Sequence, residues 1–502
     1  MPRLRRPVNL TEGTIWKQIL LFALPVLVTN IMQQLYAIFD LMIIGRYAGL
    51  DAMAGVGATA SVISMIINLS VGLATGVSVI TAQVNGSGNY DGLYKVVHTG
   101  YAVAVVAGLV ITGIGVGLAP IMLGWMQTPA DIMPYAVRYL RIYLAGGLPV
   151  IIYNMGAGIL RGVGDTRHPM IFLSIGVILN IGLDLLFVRV FDWGVTGAAC
   201  AYVAAQIVTA ILVTASLMLS HEPFRLFLRD ISFHRDILPD TMKVGIPAGL
   251  QAFVIALSNV FLQAVINGFG KHAVAGFSVA TRVDGFVFMI ISAIALAVMT
   301  FTGANVGARR YKRARKGTYQ GIALMVGIVI VVSGILLLLR YPIARAFNPD
   351  PNVVAYSTHI MIYILSLYWI FGITEVLAGS IRGLGQSVFP LGVTLVFMAG
   401  FRLLWIFSVV PVVQTFRVVV LAYPLSWTAA LLAYLVYIWI KGGVVPKARI
   451  REEEAADAEA ARRAASDDAP TSSSELSLEE MAALIQASEA SKASKEENSS
   501  WR

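Results

Sequence analysis

Twelve apolar segments, each long enough to cross a bilayer, leave this 502-residue chain few folds to choose from. They fall at about 15–43, 52–83, 95–123, 134–160, 168–190, 194–219, 238–268, 273–305, 317–340, 353–380, 387–411 and 416–440. A helix crosses the hydrocarbon layer with about 20 residues rising about 1.5 Å each. With 57% hydrophobic and 13% charged residues and a mean hydropathy of +0.76, the chain is expected to be an all-α polytopic membrane protein.

The remaining composition narrows the reading further. One cysteine, Cys200, and six scattered histidines exclude a disulfide framework and a Cys or His metal site. A net charge of +9 would suit nucleic acid only if it formed a patch, and here the basic residues sit between apolar segments, so no nucleic-acid partner is expected. Arg3, Arg5, Arg6, Arg225, Arg229, Arg235 and the cluster Arg309, Arg310, Lys312, Arg313, Arg315 and Lys316 lie in the N-terminal segment and even-numbered loops. The odd-numbered loops hold Arg46, Arg189, Lys271, Arg340, Arg345 and Arg417. The positive-inside rule then puts both termini in the cytoplasm. No small-residue cleavage site follows the basic start, so the first segment reads as a retained span.

The chain repeats itself. At an offset of 222, Pro25 meets Pro247, Thr59 meets Thr281 and Ala82 meets Ala304; after one deletion, at 221, Tyr90 meets Tyr311 and Lys95 meets Lys316. The same offset carries Arg161-Gly-Val-Gly-Asp-Thr onto Arg382-Gly-Leu-Gly-Gln-Ser, both read as tight turns whose glycines allow positive φ. Each half holds an even number of spans, so the repeat is parallel, about an axis along the membrane normal. The expected organisation is an N-terminal segment over 1–14, a six-helix bundle over 15–220, a linker over 221–240, a second six-helix bundle over 241–440 and a disordered cytoplasmic tail over 441–502. Within that tail, Ser477 and Glu480 could cap a short helix before Met481, Leu484 and Ile485. Two bundles flanking a cleft are the geometry of alternating access.

Polar residues inside spans cost several kcal/mol on insertion and so mark sites, roughly 3 kcal/mol for a central carboxylate. The first span carries Pro25, Asn30, Gln33, Gln34, Tyr36 and Asp40, with Gln33 and Asp40 nearly one above the other, so their stripe should face protein or water. Pro25 removes a backbone hydrogen bond and marks a kink. In the fifth span Asn180 and Asp184 share a face. Asp40, Asn180 and Asp184 therefore form a candidate proton or Na⁺ site, two acids and an amide offering oxygens to a hard cation. The repeat partners of the acids are Leu262 and Trp405, so the site belongs to the first bundle alone. The second bundle offers Gln251, Asn259, Gln263, Arg282, Asp284, Glu375 and Arg402; Glu375 is the repeat partner of Asn154, and both are expected to line the cleft. The structural alternative pairs Glu375 with Arg282 or Arg402.

Leu24-Pro25, the segment Asp40 to Gly45, Arg161 to Thr166, Asn180 with Asp184, and Gly194-Val-Thr-Gly-Ala-Ala resemble the multidrug and toxic compound extrusion transporters, in their prokaryotic DinF-like branch, over residues 10–440. The resemblance implies a secondary antiporter of the bacterial plasma membrane. It would export organic cations or amphipathic drugs in exchange for H⁺ or Na⁺, without a cofactor, as a monomer among membrane lipids. It places the cation site at Asp40, Asn180 and Asp184 with Tyr139 participating, and the hinge at Pro25. Tyr202 departs from the pattern, standing where a small hydroxyl residue is expected. The alternatives are a flippase for lipid-linked saccharides, which would want a basic cleft, and a membrane enzyme, for which the sequence offers no nucleophile or metal motif.

Overall fold

Inside a bilayer each apolar run must bond its own backbone. The computed structural model describes residues 8–467 and 482–488, and among them it is helical with no strand. The first half contains α1 (Ile15–Tyr47), α2 (Leu50–Gly86), α3 (Tyr90–Trp125), α4 (Met133–Ala145), α5 (Gly147–Gly162), α6 (Arg167–Asp184), a π-helical turn over Leu185–Val190, and α7 (Gly194–Met218). The second half contains α8 (Leu238–Asn267), α9 (Lys271–Gly307), α10 (Tyr311–Leu338), the short α11 (Arg340–Phe347) and α12 (Pro351–Gly383). It continues through α13 (Val388–Val393), a π turn over Thr394–Gly400, α14 (Phe401–Ser408), α15 (Val410–Val413) and α16 (Phe416–Lys441).

These helices make twelve spans in two six-span bundles, but the fourth span is broken. α4 and α5 meet at a 47° bend around Gly146, where Gly146, Gly147 and Pro149 interrupt the expected helix over 134–160. Pro25 sits inside an uninterrupted α1, with Thr29 Oγ1 donating to the Pro25 carbonyl at 2.8 Å. The two glycine turns hold as expected: Gly164 has φ +92° and Gly385 φ +83°, left-handed values that glycine tolerates best.

Parity puts the start of α1 and the end of α16 at one end of the bundle, here called basal. At this end the two lobes are joined. Gly72 and Gly76 of α2 let the chain touch α8: a Cβ on Gly72 would run into the Cα of Gly249, and one on Gly76 into the Thr241 carbonyl. Gln83 Nε2 donates to the Gly383 carbonyl at 2.8 Å, and Asn30 Nδ2 to Ser292 Oγ at 3.1 Å, both across the seam. α1 straddles the lobes: Ile19, Phe22, Ala23 and Val26 pack into the second lobe's core, while Ile43 and Ile44 pack with Ala136, Leu140 and Val188 of the first.

Residues up to Lys447 form one unit, and the chain from Ala448 forms another. Contrary to the expected disorder, Lys447–Asp467 is a helix, α17, rich in Ala, Glu and Arg, which favour helix without needing a core. Residues 482–488 are also helical, while Ser477, Glu480 and Met481 lie outside the described residues.

Candidate functional site

The polar stripe of α1 faces a cavity of 690 Å³ inside the first lobe. Its walls are largely apolar and aromatic, drawn from α1, α2, α4, α5, α6 and α7. Gln33, Gln34, Tyr36 and Asp40 line it from α1 and Asn154 from α5. Asp40 is only 5% exposed. Tyr139 Oη donates to Asp40 Oδ2 at 2.9 Å, while Asp40 Oδ1 is buried without a hydrogen-bond partner among the described residues.

Asn180 and Asp184 stand behind this wall on α6, fully buried. Among the described residues the Asp184 carboxylate oxygens and the Asn180 amide atoms make no hydrogen bond of good geometry, although the Asn180 amide lies near enough to act on the Asp184 carboxyl. Asp184 is close enough to Asp40 for the two carboxyl groups to act on each other electrostatically. It is also the last α-helical residue before the π turn, which spaces hydrogen bonds one residue wider than the α-helix and often marks a functional site. Unpartnered buried polar atoms are rare in native structures, and five carboxylate and amide atoms in one lobe call for something to satisfy them. A proton or a small hard cation would do so: Asp40, Asp184 and Asn180 supply the oxygens a Na⁺ would take. Among the described residues no three His, Cys, Asp or Glu side chains converge on a metal-binding position.

An aromatic lattice frames the acid. Tyr143 Oη donates to Tyr202 Oη at 2.6 Å with the rings stacked at 4.1 Å, and Tyr36 meets Tyr202 edge-on at 5.3 Å. Tyr202, which departs from the expected small hydroxyl, thus fills the cavity wall and ties α4 to α7. Sequence reasoning missed Tyr143, Gln206 and Arg282 as lining residues. The first was legible, because Tyr139 and Tyr143 lie one turn apart on one face. Arg282 was not, since it reaches the cavity from α9 of the other lobe.

Arg282 apart, the second-lobe candidates do not line this cavity. Arg402 Nη1 donates to Asn259 Oδ1 at 2.9 Å, and its guanidinium lies 4.4 Å from the Tyr423 ring centre. Gln251 is buried with Oε1 unpartnered, and Asp284 has one unpartnered buried oxygen. Glu375 is corrected in its ion-pair partner. Its partner is neither Arg282 nor Arg402 but Arg382, at 3.5 Å, two turns along the same helix, and it does not face the cavity lined by Asn154.

Tyr139→Phe deletes the hydrogen bond to Asp40 while keeping the ring. A hydrogen bond to a charged group contributes about 1.5–3 kcal/mol, so the variant isolates what that bond gives the buried carboxyl without disturbing the packing of the wall.

Comparison with known proteins puts the chain in context. The MatE family profile matches it twice, over residues 25–186 and 247–407. The two matches start 222 residues apart and end 221 apart, the offsets of the internal repeat. "Probable multidrug resistance protein YpnP" of Bacillus subtilis (strain 168) is 27% identical over 385 residues, covering 76% of this chain and 85% of that protein. "Probable multidrug resistance protein NorM" of Thermotoga maritima is 26% identical over 455 residues, covering 87% and 96%. Among solved structures, "MATE in the bent conformation" superposes with a TM-score of 0.81 at 24% identity, over 90% of this chain and all of that one. "Outward-facing conformation of a multidrug resistance MATE family transporter of the MOP superfamily" gives 0.79 at 24%, over 90% of this chain and 99% of that one. Both likenesses concern the fold.

Proposed function

Because this chain belongs to the MatE family of multidrug and toxic compound extrusion proteins, transporters and not enzymes, we propose that it is a secondary antiporter exporting organic cations or amphipathic drugs in exchange for H⁺ or Na⁺. The observation that carries this reading is the half-satisfied Asp40 on the wall of a large apolar cavity, with the unpartnered Asn180 and Asp184 behind it. A carboxylate in a poorly hydrated wall is costly, and either a bound ion or a cationic drug relieves that cost. A ligand shifts a two-state equilibrium only through differential affinity, so exchange requires ion and drug to favour opposite states of the first lobe. Asp40 is the group that both would contest.

The rocking bodies are residues 15–220 and 241–440, joined by the linker over 221–240. The excess of basic residues in the even-numbered loops supports a basal end, and with it both termini, on the cytoplasmic side of a bacterial plasma membrane. A seam closed at that end corresponds to a state in which the cavity faces outward. The fold encloses its cavity within one chain, so a monomer suffices. A flippase for lipid-linked saccharides would need a basic cleft for pyrophosphate. Arg282 is the one basic residue lining this cavity among the described residues.

Efflux of a fluorescent lipophilic cation from proteoliposomes, under an imposed pH gradient or an imposed sodium gradient, tests the reading and names the ion. Flux under neither gradient would overturn it. Two substitutions probe its parts. Pro25→Ala is expected to slow turnover severalfold while changing drug affinity less than twofold, and an unchanged turnover number would remove the hinge. Arg282→Gln removes a repulsive charge from the cavity and is expected to tighten binding of a monocationic dye about threefold in a fluorescence titration, since such screened charge effects amount to about 1 kcal/mol or less.

A further inference from the structure

A strap of chain ahead of α1 crosses the seam between the lobes at the basal end. Val8 N donates to the Gly164 carbonyl at 3.2 Å, in the turn between α5 and α6 of the first lobe. Beyond Asn9, the consecutive carbonyls of Leu10, Thr11 and Glu12 are each taken by a side chain of the second lobe. Asn305 Nδ2 donates to Leu10 O at 3.0 Å, Arg310 Nη1 to Thr11 O at 2.6 Å, and Arg313 Nη2 to Glu12 O at 2.8 Å. Arg313 Nη2 also reaches Gln18 Oε1 at 2.8 Å, and Gln18 Nε2 donates to Asn9 O at 2.6 Å, fixing the strap to the start of α1.

The Leu10 side chain is 4% exposed and packs into the second lobe's core. Val8 to Thr11 also wall a cavity of 320 Å³ together with Asn85 and Gly86 at the end of α2, the Gly162–Gly164 turn, and Ala304 of α9. The strap is therefore seated in the seam and not draped outside it.

We propose that Asn305, Arg310 and Arg313 are positioning residues for transport, which hold residues 8–12 across the seam and so set the fraction of molecules closed at the basal end. The proposal rests on the two-state reading of the fold given above. Opening the basal end must either break the Val8–Gly164 bond or peel Leu10 to Glu12 off the second lobe. Hydrogen bonds from a guanidinium are stronger than neutral ones, and three consecutive carbonyls engaged by one lobe make the second route the harder. Separation therefore begins at Val8, and the three second-lobe side chains act by holding Val8 where the Gly164 carbonyl can take its N–H, the contact that opening breaks. Part of the basic cluster that sets topology also works as a clasp.

The test is a distance measurement on the full chain in lipid nanodiscs, without drug. Nitroxide labels go on the exposed Ser87 of the first lobe and Lys316 of the second, in a Cys200→Ser background. Relative to wild type, the double variant Arg310→Gln/Arg313→Gln is expected to raise the ratio of basal-open to basal-closed molecules severalfold, up to about tenfold, the worth of the one backbone bond the anchored strap makes to the first lobe. Arg310→Lys/Arg313→Lys should restore most of the closed population, because an ammonium can still donate to a carbonyl. Val8→Pro, which removes the donor to Gly164 directly and gives up part of the packing of the half-buried Val8 side chain on the second lobe, should shift the ratio the same way by a comparable or larger factor. Distance distributions identical to wild type in both the Gln double variant and Val8→Pro overturn the clasp, whatever either variant does to export. A wild type that never separates at this pair, even with saturating drug and ion, overturns the two-state reading and the clasp with it. Separation in a protein that shows no ion-driven flux leaves the clasp standing and removes only the antiporter.

Discussion

Asp40→Asn should abolish gradient-driven export, by at least about a hundredfold, while the protein accumulates in the membrane at its normal level. The amide keeps the shape of the carboxyl and can still accept the hydrogen bond from Tyr139, so packing in the wall is retained. What it loses is the ability to exchange a charge state or bind an ion. Unpaired buried carboxylates also lower stability, and replacing one by a neutral isostere commonly leaves folding unharmed. Initial rates in proteoliposomes, normalised to reconstituted protein, check this result. Residual coupled export within about threefold of wild type would sink the role assigned to Asp40.

The second large effect is expected at the seam. Gly72→Val places branched carbon where Gly249 backbone already lies, and backbone atoms cannot move aside as a flexible side chain would. The lobes must part at α2 and α8 to admit it. Export is expected to fall at least about tenfold, with the Ser87–Lys316 distance distribution shifted to its longer component. Gly113→Val on α3 is the control, because a Cβ there meets nothing within 4 Å, the position lies outside the cavity, and the distribution should be unchanged. A Gly72→Val protein that exports normally would show that the close approach of α2 and α8 is not required in the cycle.

Much of this architecture could be read from the chain because membrane spans are written in a code that water-soluble cores lack. Each span advertises itself by length alone, and the repeat of Pro25 at Pro247 and of the Arg161 turn at Arg382 fixed the two lobes and their parallel relation. Which polar residues share a helix face was equally legible: Gln33 and Asp40 on α1, and Asn180 and Asp184 on α6, lie together because helical spacing requires it. Contacts between helices were not. The bond between Tyr139 and Asp40 joins residues 99 apart in sequence, and Tyr139 entered through family resemblance, not through spacing.

Two misreadings have physical causes. Transferring the position of Asn154 to Glu375 through the repeat assumed that equivalent backbones present equivalent surroundings, whereas Arg382 two turns away already answered the charge. The tail from Lys447 is poor in large apolar residues, which argues against a core; its Ala, Glu and Arg content still favours a helix, and the two properties are separate. The strap was invisible for a third reason: its bonds run from side chains to backbone carbonyls, which any residue supplies.

The most direct test of ion and drug contesting Asp40 is displacement at equilibrium. Purified protein in a weakly buffered, sodium-containing solution is titrated with a lipophilic cation, while a pH indicator and radioactive sodium report what leaves. Release of either ion on drug addition, approaching one equivalent per protein and absent in Asp40→Asn, is the expected result. Drug binding with no ion released from the wild type, or release that persists undiminished in Asp40→Asn, would contradict it.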